Sequence, residues 1–276
     1  MIDLVFKGDN LILRYFLSFL EIVIVIIMIT ILEILLYNVP YEFLKMITSN
    51  INIIGIDTLY DIIYEVLVNV SIIFILVKYF RIKDLNISNK INNGNLMLFT
   101  TLIIFGYNNI YSNSVGLLMN TIEISPRLTE SFEGLIQSPI YALISLCIFA
   151  PVFEEIIYRG IILNVLLQKF NTLFGVILSS MIFALVHFNL HQGVNALVVG
   201  LLLAFIYVKT RSIRLCIYAH FFNNFYVLLE GYFAIEIINF NIGRLIIGIG
   251  ALIIGISGFY YSNINRYINK KISSYS

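Results

Sequence analysis

The sequence predicts an all-α fold: a polytopic helical membrane protein with about eight transmembrane helices and cytoplasmic N- and C-termini. Three observations carry this reading. Of 276 residues, 60% are hydrophobic and 12% charged, with a mean hydropathy of +0.94; soluble chains run nearer about 45–50% apolar and about 25% charged. The apolar residues form continuous runs long enough for helices to cross about 30 Å of hydrocarbon, without the period-two alternation of a barrel strand. Finally, the basic residues divide unevenly between the two sets of connections, as cytoplasmic loops require.

Taken in order, the runs place helices at about 15–37, 61–78, 96–115, 138–168, 172–190, 193–208, 213–230 and 244–262, within one transmembrane domain spanning 1–276. The first follows a polar stretch with Asp3, Lys7 and Asp9 and has no small-residue cleavage site behind it, so it reads as a retained span. Residues 38–60 and 116–137 are mixed, with Pro40, Pro126 and Pro139 as breakers, and suit short surface helices. Arg81–Asn95 is polar and Asn-rich, an exposed loop. With the N-terminus inside, only Lys45, Arg127 and Arg244 of the 17 basic residues fall outside.

Composition also excludes partners. A net charge of +1 creates no field to recruit nucleic acid. Cys147 and Cys216 lie in apolar stretches without CxxC spacing, so neither a disulfide framework nor a thiolate zinc site is legible.

Polar groups deep in apolar helices are costly and point to function. Three clusters qualify. In Ala150-Pro-Val-Phe-Glu-Glu-Ile-Ile-Tyr-Arg-Gly160, Glu155 and Arg159 are spaced i,i+4 with the acid first, the favoured order for a pair on one face. Glu154 points about 100° away from Glu155, toward something else. Pro151 lacks an N–H and should free backbone groups beside the acids. The second cluster is Phe183-x-x-x-His187, followed by His191; the third is His220-x-x-x-Asn224, whose spacing lets both side chains address one point. Glu154 and His187 are equidistant from the polar Lys169–Thr172 connection. A tight antiparallel hairpin there would set them level, able to share a water. For the third cluster to join them, the hairpin must project into the cytosol, with a cavity open to that side.

Together, Glu154-Glu155-x-x-x-Arg159, Phe183-x-x-x-His187 and His220-x-x-x-Asn224 resemble the CPBP family of intramembrane proteases, also called the Abi or type II CAAX prenyl endopeptidase family. The resemblance covers residues 137–228. It implies an endopeptidase in which Glu154 and His187 activate water and His220 and Asn224 stabilise the oxyanion. Glu155, Arg159 and Phe183 are implied as structural support or substrate contacts. The substrate would be a peptide or membrane-associated protein, lipidated ones included. The chemistry is coherent: a carboxylate partly withdrawn from water suits general-base work near neutral pH, and N–H groups aimed at the oxyanion stabilise the transition state. The family is often described as metalloprotease, and one zinc ion at Glu154, His187 and His220 is the alternative. No HExxH signature is present, and the reading adopted here has no metal or other cofactor.

Two other classes compete. A non-catalytic scaffold of the same family, a bacteriocin-immunity or signalling regulator, would bind a partner protein and tolerate loss of Glu154. A transporter would need broken helices in matching halves, which are not visible. The Ile- and Asn-rich composition points to a bacterial cell membrane. The projecting hairpin is directly checkable: Gln168→Cys should react with a membrane-impermeant maleimide only once the cytoplasmic face is opened.

Overall fold

The computed structural model describes residues 56–82, 94–119, 138–232 and 240–273, with isolated positions elsewhere. The expected first span, most of 38–60 and 120–137, most of the Arg81–Asn95 loop and both termini lie outside the described residues. Among the described residues there are helices and no strands: α1 (Ile56–Tyr79), α2 (Gly94–Ser112), the short α3 (Val115–Met119), α4 (Pro139–Lys169), α5 (Thr172–Leu185), α6 (Leu190–Thr210), α7 (Ile213–Tyr232) and α8 (Ile242–Ser273). The seven remaining expected spans thus each coincide with a helix. Four helices are long and apolar enough to cross a membrane, over Ile62–Tyr79, Pro139–Lys169, Leu190–Thr210 and Ile242–Ser262. Helices α2 and α7 are of similar length but carry Asn108 and Asn109, and His220, Asn223, Asn224 and Glu230, which dilute their apolar character.

One expected span is shorter than the sequence suggests. The run 172–190 becomes a helix that stops at Leu185, and His187 sits in the turn beyond it. The physical reason is local: Asn189 caps the start of α6, its Oδ1 accepting from Gln192 N at 2.7 Å, which ends one helix to begin the next.

The chain divides into two compact units, Met1–Leu85 with Ile156–Leu201, and Asn86–Glu155 with Leu202–Ser276. In the first, Val68, Ile72 and Leu76 of α1 pack with Ile157, Ile161 and Leu166 of α4 and Ile182 and Phe183 of α5. The opposite stripe of α1, Ile63, Leu67, Val70 and Phe74, is exposed at the spacing of one helix face, as lipid contact requires. The expected hairpin forms. Asn171 caps α5 by accepting from Phe174 N at 2.9 Å, and the Phe170 ring packs tilted against Phe174, 5.0 Å between centroids. Tyr158 meets Phe183 at 5.1 Å between ring centroids, so residues equidistant from the turn face each other.

In the second unit, α2 and α8 approach backbone to backbone. A Cβ on Gly106 would lie 2.6 Å from Leu252 N and 2.7 Å from Gly248 O, and one on Gly255 would lie 2.8 Å from Ile103 N. Between helices in lipid, such close contact supplies the dispersion that burial from water supplies in a soluble core. Polar bonds lock the seam: Arg244, one turn into α8, bonds Asn109 of α2 and Tyr226 and Glu230 of α7. Thr101 of α2 bonds Tyr218 of α7 at 2.6 Å.

Because the obstructing atoms at Gly106 are backbone, Gly106→Val cannot be relieved by a rotamer change. It should cost at least about 1–3 kcal/mol, read as a lowered midpoint of thermal unfolding in detergent. Gly250→Ala, inside the helix with nothing within 4 Å of the new methyl, should not lower that midpoint and should raise it slightly.

Candidate active site

Helix α4 is not uniformly α-helical. Its winding widens to π over Leu143–Phe149 and again over Ile156–Leu163, flanking the α-helical Ala150–Glu155 that carries the acids. Such wide turns are rare and often accompany functional sites. Pro151 gives one reason for the irregularity here. The bond from Ala150 N to Ser145 O has the π register, and continuing it would require an N–H at Pro151 for Leu146 O. Proline has none. The Leu146 carbonyl accepts instead from Asn224 Nδ2 at 2.8 Å, so the backbone group freed beside the acids is taken by a predicted site residue.

The second unit brings Glu154, Glu155, His220 and Asn224 together. Glu155 is fully buried, and its Oε1 lies 2.8 Å from His220 Nδ1. With Glu155 ionised, that bond places a proton on Nδ1 and turns Nε2 the other way. Nε2 lies 3.8 Å from Oε2 of Glu154, whose side chain is 31% exposed. The two neighbouring acids therefore differ as the sequence suggests, one sealed and one facing water. The Glu155 carboxylate thus holds one nitrogen of the His220 ring.

The first unit holds Arg159, Phe183 and His187. Arg159 is buried; Nη2 donates to Gly200 O at 3.2 Å, and the guanidinium lies 4.6 Å from the Phe183 ring centroid. Phe183 is buried too, with the His187 ring edge-on at 5.2 Å. Arg159 and Phe183 are thus both buried, with the Phe183 ring between the guanidinium and the His187 imidazole. A Cβ on Gly200 would meet Ser180 Cβ at 3.2 Å and Phe183 Cδ1 at 3.3 Å, which is why α6 offers its backbone there.

His187 is half-buried and held in one orientation. Its Nδ1 is 2.8 Å from Phe183 O, a carbonyl in the last turn of α5. Since a carbonyl only accepts, Nδ1 carries the proton and Nε2 presents its lone pair. Phe188 follows at φ +52°, a left-handed conformation uncommon for a bulky residue. Asn189 fixes the turn, donating from Nδ2 to His187 O at 2.8 Å. His191 lies in the first turn of α6.

Two polar residues here escaped the motif reading. Asn108 of α2 donates to Asn223 Oδ1 at 3.2 Å, and Asn223 donates to Asn224 Oδ1 at 3.2 Å. Adjacent amides in an apolar helix, Asn108-Asn109 and Asn223-Asn224, were the available signal.

Among the described residues, no three His, Cys, Asp or Glu side chains gather into a group that could hold a metal ion. Of the zinc alternative's ligands, Glu154 and His220 belong to one unit and His187 to the other.

If Glu155 orients His220, its acceptor matters more than its charge. Glu155→Gln should fold, because an amide oxygen still meets Nδ1. Glu155→Leu strands a buried donor and should lose about 1–3 kcal/mol, measured by detergent melts of the two variants.

Comparison with known proteins finds relatives of the segment that carries these residues. Residues 136–226 match the family described as type II CAAX prenyl endopeptidase Rce1-like. The chain is 35% identical over 101 residues to "Putative membrane peptidase YdiL" of Bacillus subtilis (strain 168), over 37% of this chain and 41% of that protein. It therefore spans less than half the length of that relative. No solved structure matches. The matched segment contains every motif residue from Glu154 to Asn224. The helices and the matches together describe an integral membrane protein whose residues 136–226 are similar to the type II CAAX prenyl endopeptidase Rce1-like family.

Proposed function

We propose that this protein is an intramembrane endopeptidase of the bacterial cell membrane, hydrolysing a peptide bond in a peptide or membrane-associated protein, lipidated ones included. The observation that carries the reading is the partly exposed Glu154 beside His220, whose far nitrogen is held by the sealed carboxylate of Glu155. A water-exposed acid next to an oriented imidazole is a hydrolytic arrangement.

In this reading Glu154 and His187 pair to activate water. Glu154 keeps access to solvent while its neighbour does not, and His187 presents a lone pair because its other nitrogen is committed to Phe183 O. Water attacks the carbonyl carbon as one of its protons passes to this pair. The oxyanion is met by His220 in its doubly protonated form, Nε2–H donating while Nδ1–H stays on Glu155, and by the second N–H of Asn224, the first being given to Leu146 O. Collapse breaks the C–N bond, and the proton returns to the leaving amine. Eight spans, cytoplasmic termini and a cavity open to the cytoplasmic side complete the proposal, since a peptide bond must be presented to water inside a bilayer.

The test compares cells expressing the native protein with cells expressing Glu154→Gln at equal membrane levels, mapping new peptide termini by mass spectrometry. Proteolysis predicts termini that vanish in the variant, a loss of at least about 100-fold for removal of a general base. Unchanged termini with a surviving cellular phenotype would instead identify a binding scaffold. The cleavage should also persist in 1,10-phenanthroline, because the proposed base and donors are side chains. Inhibition reversed by added zinc would replace the metal-free mechanism.

A further inference from the structure

Three candidates outside the motif set stand out: the Arg244–Glu230–Tyr226 network, the buried Thr100 hydroxyl, and the asparagine chain running from α2 to α4. The first has its groups paired with one another. Nothing surrounding the second points to a ligand. The third reaches a proposed catalytic residue.

We infer that Asn108 and Asn223 are positioning residues that fix which end of the Asn224 amide faces the substrate. The inference rests on the endopeptidase reading and extends it to a helix outside the matched segment. Each bond in the chain runs the same way. Asn108 Nδ2 donates to its own helix at Ile104 O, 2.9 Å, and to Asn223 Oδ1, 3.2 Å. Asn223 Nδ2 donates to Asn224 Oδ1, 3.2 Å, and Asn224 Nδ2 donates to Leu146 O, 2.8 Å.

Direction is what makes the chain informative. An amide side chain can flip, exchanging its donor and acceptor ends. Flipping Asn224 would set its oxygen against the Leu146 carbonyl and its NH2 against that of Asn223, losing both bonds. Flipping Asn223 to accommodate it would set NH2 against the NH2 of Asn108. Asn108 cannot follow, because its donor end is anchored on Ile104 O. Asn108 and Asn223 are buried, 3% and 4% exposed, so water is a poor substitute. The last N–H of the chain is thereby left with one orientation, and Pro151 supplies the carbonyl that makes that orientation preferable. Removing Asn108 frees Asn223 to flip together with Asn224, at the loss of the Leu146 bond alone, presenting an oxygen where an oxyanion forms.

The experiment is a double-mutant cycle on detergent-solubilised full-length protein. The probe is an internally quenched peptide built from a cleavage site whose terminus disappears with Glu154→Gln. Asn108→Leu should lower kcat about tenfold with KM unchanged, as expected for a misplaced group acting only in the transition state. In an Asn224→Ala background the same change should cost nothing further. Asn109→Leu, one position away and bonded to Arg244, serves as the structural comparison: it should lower thermal stability and leave kcat alone. Asn223→Leu, which cuts the chain closer to Asn224, provides a second variant should Asn108→Leu fail to fold, with the same expected loss and the same dependence on Asn224. An equal loss of kcat with and without Asn224, or no loss in a folded variant, would overturn the positioning role while leaving the peptidase intact. Absence of any Glu154-dependent cleavage in the native protein would overturn both.

Discussion

A carboxylate with no exposure to solvent must be met by donors from the protein, and Glu155 is such a group. Its bond to His220 Nδ1 joins α4 to α7 and leaves the other imidazole nitrogen near Glu154. The same rule acts on backbone. Pro151 withdraws an N–H, Leu146 O is left to be met, and Asn224 meets it. The candidate site is in this sense built from debts of hydrogen bonding inside an apolar helix bundle. Each of its polar side chains answers a group that lipid could not satisfy.

The two units solve their packing differently. In the first, branched side chains of α1, α4 and α5 interlock around Phe183, and the aromatic ring carries Arg159 on one side and His187 on another. In the second, glycines let α2 and α8 touch along their backbones. A seam where backbones touch, as at Gly106 and Gly255, has little capacity to repack, so α2 is a firm base from which Asn108 and Asn109 reach α7 and α8. His187 is held differently, by a turn whose capping asparagine binds the histidine's own carbonyl.

Much of this was legible in the chain. Continuous apolar runs located each described long helix, and the polar Lys169–Thr172 connection located the hairpin, with Tyr158 and Phe183 meeting at the expected register. The unlike environments of Glu154 and Glu155 followed from their adjacency on a helix. Three things were not legible. A fixed helical period cannot report the π stretches on either side of Ala150–Glu155, which change which side chains share a face. The stop at Leu185 depends on a cap three residues beyond His187's helix neighbour Val186, and apolar character continues past it through Phe188 and Leu190. Asn108 acquires its meaning only through Asn223, more than a hundred positions later, and no motif spans that distance.

Helix α5 has 14 residues, which rise about 21 Å against roughly 30 Å of hydrocarbon. With Asn171 at one bilayer surface, the turn holding His187 would fall short of the other. The mismatch has to be absorbed by the lipid, through local thinning of the leaflet, or by water drawn down to the turn. In either case the shortness of this helix lowers the barrier that a polar peptide backbone faces on its way to the imidazole. For the endopeptidase proposed, bilayer thickness would then be a variable of catalysis, and lipids of different chain length would tune the protein without touching any residue of its site.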